Sequence, residues 1–141
     1  MQVGLKRVYE RPAASDGTRV LVDRLWPRGL TKEAARLDEW LKDVAPSDEL
    51  RHWFHARPSQ WLQFRKRYLK ELNDPLACAA LETLYAVAQK RKQLTLVFAS
   101  RNLERNNAVV LKELLEGMRK PPNSTGPAKA AAVSNRARRS R

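Results

Sequence analysis

The hydrophobic positions of the chain fall into two patterns, short continuous runs and longer runs spaced by three and four residues. The continuous runs at residues 3–9, 19–23 and 94–99 predict strands, and the Val-Leu-Val centre of the second run is typical of a strand buried on both faces. Amphipathic segments lie between the second and third runs, and another follows at about residues 104–118. Strands separated by helices predict an α/β fold: a small three-layer domain with a mainly parallel sheet flanked by helices.

Short polar residues mark where these helices begin. Thr31, Ser47 and Ser59 are predicted N-caps, and Asp74 followed by Pro75 predicts a further helix start. The turn before the second strand contains Gly17, which is free to adopt a positive φ.

One segment has two readings. Apolar residues at Leu37, Trp40, Leu41 and Val44 have helical spacing. The short length of the segment and the stop at Pro46 also allow a strand, so the residues alone leave both open.

The chain of 141 residues predicts one domain, residues 1–120, followed by a tail, residues 121–141. The tail begins with two prolines and has almost no large apolar residue, so we expect it to be disordered. It ends in the basic residues Arg136, Arg138, Arg139 and Arg141. They are typical either of a solvated tail or of an arm that contacts nucleic acid.

The net charge and the apolar content indicate which partners and which compartment to expect. The chain holds 28 Lys and Arg against 15 Asp and Glu, a net charge of +13 that favours anionic partners. No apolar run approaches the length of a membrane span and no signal peptide is visible, so a cytoplasmic protein with no membrane partner is expected. The single cysteine, Cys78, lies in an apolar stretch and is predicted to be a small buried hydrophobe.

Two predicted strands end in polar, cationic loops, and ligands of parallel α/β sheets bind beyond the carboxyl ends of the strands. We therefore predict an anion-binding cleft formed by Arg24, Arg28 and Arg101 with the amino terminus of the last helix. Asn102 and Asn107 are further candidate ligand-binding residues, and the supporting residues are Asp23, Trp26 and Ser100. In the alternative reading, Asp23 and Arg24 form an ion pair and Trp26 belongs to the core.

Other chemistry is weakly indicated. His52 and His55 could share a helix face, but a metal site there would need carboxylates from elsewhere, and we predict neither a metal nor a cofactor. Asp38, Glu39 and Asp43 could supply acid-base groups, but their spacing does not single out a pair. Basic and aromatic residues alternate over residues 51–68; we interpret the aromatics as core and the bases as the solvated face, rather than as a base-stacking platform.

Several segments together resemble the YeaO-like bacterial family of unknown function, over about residues 1–118. The similarity is carried by Lys-Arg-Val-Tyr at 6–9, Asp-Gly at 16–17, Arg-Val-Leu-Val-Asp-Arg-Leu-Trp-Pro-Arg-Gly at 19–29, Leu-Asp-Glu-Trp-Leu-Lys-Asp at 37–43, Ala-Pro-Ser at 45–47 and Glu-Leu-Arg at 49–51. The resemblance implies a compact cytosolic α/β domain, favours a strand near residues 37–44, and transfers no activity.

The chain also departs from this family. Asn107 stands where the family usually has the histidine of Asn-His-Ala, Arg101 stands where members often have lysine, and residues 55–58 differ from a common Gly-His-Asp-Pro stretch. If the family histidine is catalytic, this chain is altered or inactive. If that histidine only orients a loop, Asn107 can still form the hydrogen bonds.

Three functions are compatible with the sequence. The leading hypothesis is a site that binds, or binds and transforms, a small phosphorylated or carboxylated ligand at the strand ends. The alternative is a nucleic-acid-associated protein that uses its basic body and tail. The third is an interaction module whose arginines are structural.

Overall fold

The computed structural model describes residues 2–122. Its four strands are β1 (Gln2–Arg7), β2 (Thr18–Leu21), β3 (Glu39–Trp40) and β4 (Gln93–Phe98). They form one sheet in the order β1-β4-β2-β3, and every neighbouring pair is parallel. The predicted α/β fold with a parallel sheet is confirmed. The predicted disordered tail lies outside the described residues from residue 123 onward.

The helices of the described chain occupy the connections and follow the last strand. They are α1 (Lys32–Ala35), α2 (Asp48–Ala56), α3 (Trp61–Glu71), α4 (Pro75–Lys90) and α5 (Asn107–Gly117). No helix of the described residues is both long and apolar enough to cross a membrane.

Most of the predicted helix starts are confirmed. The Thr31 hydroxyl accepts a hydrogen bond from the Ala34 amide, and the Ser47 hydroxyl accepts one from the Leu50 amide. The predicted cap at Ser59 is wrong, because α3 begins one residue later, after Gln60, and that N-cap side chain makes no capping bond.

Helix α5 begins three residues later than the apolar pattern predicts. Asn106 occupies the N-cap position, and its side-chain oxygen accepts from the Val109 amide. The preceding residues form a hydrogen-bonded loop in which Asn102 Oδ1 accepts from the Glu104 and Arg105 amides. Asx turns of this kind compete with the first turn of a helix.

The two faces of the sheet are covered unequally. On one face, Val20, Leu94, Leu96 and Phe98 belong to the main core, which the buried residues of α2–α5 complete. On the other face, Val8, Leu21 and Val97 form a smaller cluster. The connection from β2 to β3, which contains α1, covers that cluster with Trp26, Leu30 and Leu37.

The segment with two readings is extended at its start and becomes a 3-10 turn at Lys42–Val44. Leu37 packs on the second face of the sheet, whereas Leu41 and Val44 join the main core. The apolar residues recur every three or four positions because the chain passes from one face to the other. The strand that the resemblance favours is confirmed for Glu39–Trp40, and the helical reading is wrong.

A buried ion cluster lies at the start of β2. The Asp16 carboxylate accepts from Lys6 Nζ at 3.1 Å and from Arg19 Nη1 at 2.7 Å, and the Arg19 guanidinium also donates to the Ala35 carbonyl. Burial alone would raise the pKa of Asp16, but the Ala13 amide, Lys6 and Arg19 outweigh it and hold the pKa below its ordinary value. The cluster joins β1, β2 and the end of α1.

The aromatic residues of α2 and α3 belong to the core, as interpreted from the sequence, rather than to a base-stacking platform. Phe64 and Tyr68 are buried, and Phe54 and Trp61 pack against them. Cys78 is half-buried rather than fully buried, and burial raises the pKa of its thiol.

Candidate functional site

The loops that follow β1, β2 and β4 meet at the carboxyl end of the sheet. Arg7, the last residue of β1, donates through Nε to the Ser100 carbonyl at 3.0 Å and through Nη2 to the Ala99 carbonyl at 2.9 Å. The guanidinium of Arg7 lies 5.0 Å from the centre of the Tyr9 ring, and the Tyr9 hydroxyl donates to the Arg28 carbonyl at 2.9 Å. Arg7 and Tyr9 therefore tie the loop that carries Arg28 to the loop that carries Arg101.

Two of the predicted cleft arginines have unengaged side chains. Arg28 and Arg101 are both exposed, and no hydrogen bond or ion pair joins either guanidinium to any residue in the range 2–122. Each follows a different strand, and β2 and β4 are neighbours in the sheet. The structure therefore places both cations at the same end of the sheet with their donors available.

Arg24 is engaged with the protein itself. Its Nη2 donates to the Ala45 carbonyl at 3.0 Å and its Nε to the Pro46 carbonyl at 3.2 Å, and Asp43 lies 3.9 Å from its Nη1. These contacts fasten the chain before α2 to the end of β2. The alternative ion pair between Asp23 and Arg24 does not form, because the Asp23 carboxylate has other partners.

Asp23 connects three elements at the end of β2. Its Oδ2 accepts from the Ala99 amide at 2.8 Å and its Oδ1 from Asn107 Nδ2 at 3.2 Å. The same Asn107 nitrogen donates to the Val22 carbonyl at 2.9 Å. Burial raises the pKa of the Asp23 carboxyl, and the two hydrogen bonds and the charge of Arg51 offset only part of that effect.

The remaining predicted residues shape the loops. Trp26 donates from Nε1 to the Leu30 carbonyl and meets Trp40 edge to face, with ring centres 5.5 Å apart. Ser100 Oγ accepts from the Asn102 amide at 3.1 Å. Trp26, which packs on the second face of the sheet, fits the core alternative, and Asn102 directs its side chain to the backbone of its own loop.

Exposed apolar side chains accompany the cations at this end. Of the six large hydrophobic residues exposed in the described chain, four lie at or just after the strand ends, one for each strand: Tyr9, Leu25, Trp40 and Leu103. The strand ends therefore carry both unengaged cations and accessible apolar side chains. Sequence reasoning omitted Tyr9, Leu25, Trp40 and Leu103, and it also omitted Arg7. The Lys-Arg-Val-Tyr segment at 6–9 was the available signal for Arg7 and Tyr9.

The other groups considered from the sequence, the two histidines and the carboxylates near β3, form no site of their own among the described residues. His52 and His55 are exposed on α2, and within the described residues no group of three or more His, Cys, Asp or Glu side chains could hold a metal ion. Asp38 accepts from the Arg19 amide and thereby supports the sheet.

Comparisons with known proteins extend over most of the chain. Residues 2–133 match the family described as the inactive DUF488-N3 subclade. The chain is 46% identical over 116 residues to the uncharacterised protein Rv3073c of Mycobacterium tuberculosis, covering 82% of this chain and 95% of that protein. It is 42% identical over 118 residues to the uncharacterised protein YeaO of Escherichia coli, covering 84% of this chain and all of YeaO. No solved structure matches the chain at a significant level. These matches confirm the resemblance to YeaO, and the chain belongs to the inactive DUF488-N3 subclade.

Proposed function

We propose that this protein binds a small anionic ligand with an apolar part at the carboxyl end of its sheet, without chemical turnover. The observation that carries the proposal is the pair of exposed guanidiniums, Arg28 and Arg101, on adjacent strand ends with no partner among the described residues. Guanidinium forks bind phosphate and carboxylate groups in a bidentate manner. A phosphorylated or carboxylated metabolite is the ligand class that fits them.

The neighbouring apolar side chains define the rest of the ligand. Leu25 and Leu103 are each 57% exposed and lie in the same two loops as the arginines. A ligand that covers them gains the free energy of apolar burial, about 25 cal/mol for each Å² removed from water. We therefore expect an alkyl or planar group beside the anionic group to increase the affinity.

Binding without turnover is supported by the structural roles of the side chains that could act as acids or bases. Asp23 is the carboxylate that directly follows β2, and both of its oxygens accept hydrogen bonds from the protein. Asn107, at the start of α5, has an amide that neither gives nor takes a proton at neutral pH. The word "inactive" in the description of the subclade agrees with this reading.

The experiment is calorimetric titration of the full chain with inorganic phosphate, sugar phosphates, nucleotides and carboxylates of increasing alkyl length. For the ligand that binds best, Arg28→Ala and Arg101→Ala are each expected to weaken binding about 10-fold to 100-fold, the loss typical of a charged hydrogen bond. Arg91→Ala removes an exposed arginine that directly follows α4 and precedes β4, whereas Arg101 follows the carboxyl end of β4, so Arg91→Ala serves as the control.

Equal affinity in Arg28→Ala, Arg101→Ala and the control would reject the site. Tight binding accompanied by conversion of the ligand would reject the claim of no turnover while leaving the site intact. Arg24→Ala distinguishes an arginine that holds the fold together from the two that are proposed to bind ligand. We expect Arg24→Ala to lower the melting temperature, because the carbonyls of Ala45 and Pro46 lose their hydrogen-bond donor.

A further inference from the structure

The hairpin of α2 and α3 is strongly cationic. Residues 51–70 contain six Lys or Arg, two His and no Asp or Glu. The aromatic residues of this stretch turn toward the core, so the charged residues are left on the outside. A charge density of this sign attracts polyanions.

Part of this charge is neutralised within the fold. Arg51 pairs with Asp48 at 3.2 Å, and Arg65 pairs with Glu113 at 3.0 Å. Within residues 51–70, the exposed cations that form no ion pair with a described residue are Arg57, Lys66, Arg67 and Lys70, which we call the hairpin patch. On α3, Lys70 comes four residues after Lys66 and three after Arg67, so it lies beside both of them on one side of the helix.

Trp53 joins the two helices within this patch. The Arg67 guanidinium lies 4.3 Å from the centre of the Trp53 ring, and the Arg57 guanidinium lies 5.4 Å from it. Arg67 comes from α3 and Arg57 from the end of α2, so one half-buried indole holds cations of both helices in place. A guanidinium held against a ring keeps its N–H donors and loses less conformational entropy when it binds an anion.

Carboxylates lie near the patch without neutralising it. Glu49, Glu71 and Asp74 line a shallow groove of about 420 Å³ together with Arg67 and Lys70. Glu71 is held by the Ser47 amide and hydroxyl. Neither Glu49 nor Asp74 forms an ion pair with a cation of the described chain, and the patch residues Arg57 and Lys66 do not line the groove.

We propose that the hairpin patch binds the phosphate backbone of double-stranded nucleic acid without reading its sequence. Contacts of lysine and arginine to phosphates supply affinity without sequence information. The Trp53 ring is occupied by guanidiniums and is not free to stack on an unpaired base, which favours a duplex over a single strand. This inference is independent of the ligand site at the strand ends, which lies on other elements.

The test measures binding of the full chain to a labelled random-sequence DNA duplex by fluorescence anisotropy, from about 50 to 200 mM salt. The patch variant is Lys66→Gln, Arg67→Gln, Lys70→Gln. The matched control also removes three exposed cations, at the end of α4: Lys90→Gln, Arg91→Gln, Lys92→Gln. The basic residues 136–141 are the same in every variant, so their contribution to binding is common to all.

The patch variant is expected to bind more weakly and to reduce the slope of log K against log salt by about 3, because each lost phosphate contact removes about 0.9. The control variant is expected to keep the wild-type slope and melting temperature. The patch variant is expected to stay folded, with a melting temperature lower by about 5 °C at most because it loses the contact between Arg67 and Trp53. The proposal is overturned by an unchanged slope in the patch variant or by an equal loss in the control. Tighter binding of a single strand than of the duplex would overturn it too, as would a patch dependence seen for anionic lipid vesicles and absent for DNA.

Discussion

The buried ion cluster around Asp16 makes a sharp prediction about stability. The Asp16 side chain is buried, and its carboxylate serves both Lys6 and Arg19 as well as the Ala13 amide. Asp16→Asn keeps the shape of the side chain but removes its charge, which leaves two cations without their counter-ion. Loss of one partner of a buried ion pair destabilises a protein by about 3–5 kcal/mol.

For a chain of this size, that loss corresponds to a fall of about 10–20 °C in melting temperature. The assay is urea unfolding followed by circular dichroism, with calorimetry as a second measurement. Glu113→Gln is the matched control, because it also removes one carboxylate from an ion pair between two elements, but the pair with Arg65 is half-exposed. The control is expected to lose about 0.2–1 kcal/mol.

Lowering the pH should reduce the difference in unfolding free energy between the wild type and Asp16→Asn. Because the folded-state pKa of Asp16 lies below its ordinary value of 3.8, its ionised form stabilises the fold above pH 3.8, and this contribution is lost as the pH falls through the folded pKa. The gap in unfolding free energy is therefore larger at pH 7 than at pH 3. A loss at pH 7 no larger than that of Glu113→Gln, or a gap that grows in acid, would refute this account of the cluster.

Two further predictions concern single contacts. Gly17→Ala is expected to destabilise the fold by about 3 kcal/mol or more in urea unfolding, because Gly17 has φ +66° and an added Cβ would lie 2.8 Å from Cβ of Gln93. Gly29 also has a positive φ, +76°, but an added Cβ would have nothing within 4 Å, so Gly29→Ala is expected to lower the unfolding free energy by only about 1–2 kcal/mol. Equal losses of unfolding free energy in the two glycine variants would contradict the steric argument. Tyr68→Phe leaves the Val44 carbonyl without its buried donor and should lower the unfolding free energy by about 1–3 kcal/mol; no loss would show that another donor satisfies this carbonyl.

The elements that could be predicted from the sequence are those with local causes. The strand at residues 94–99 is continuous and apolar because β4 is a central strand, buried at Leu94, Leu96 and Phe98 among other positions. The caps at Thr31 and Ser47 depend on a hydroxyl and an amide three residues away. Such signals lie within one turn of chain, and sequence patterns record them directly.

The roles of the arginines could not be separated in the same way. Arg24 and Arg28 lie four residues apart in one loop and have the same chemistry, yet Arg24 is fixed by backbone carbonyls at Ala45 and Pro46. Carbonyl oxygens are present at every residue, so no side-chain pattern could identify these as partners. Helix periodicity failed near residues 37–44 for a related reason, because the same spacing arises when an extended chain crosses between two faces of a sheet.

Asn107 joins the start of α5 to the end of β2. The Asn107 amide nitrogen makes two donations, to the Val22 carbonyl and to Asp23. The histidine that the family resemblance places here would have one N–H when neutral and would exchange protons near neutral pH. With an amide, the donor in the bond that joins Asp23 to the start of α5 does not titrate. Under the proposed function, Asp23 and Asn107 therefore hold the loops in place, and the unengaged arginines at the same end of the sheet, Arg28 and Arg101, bind the anion.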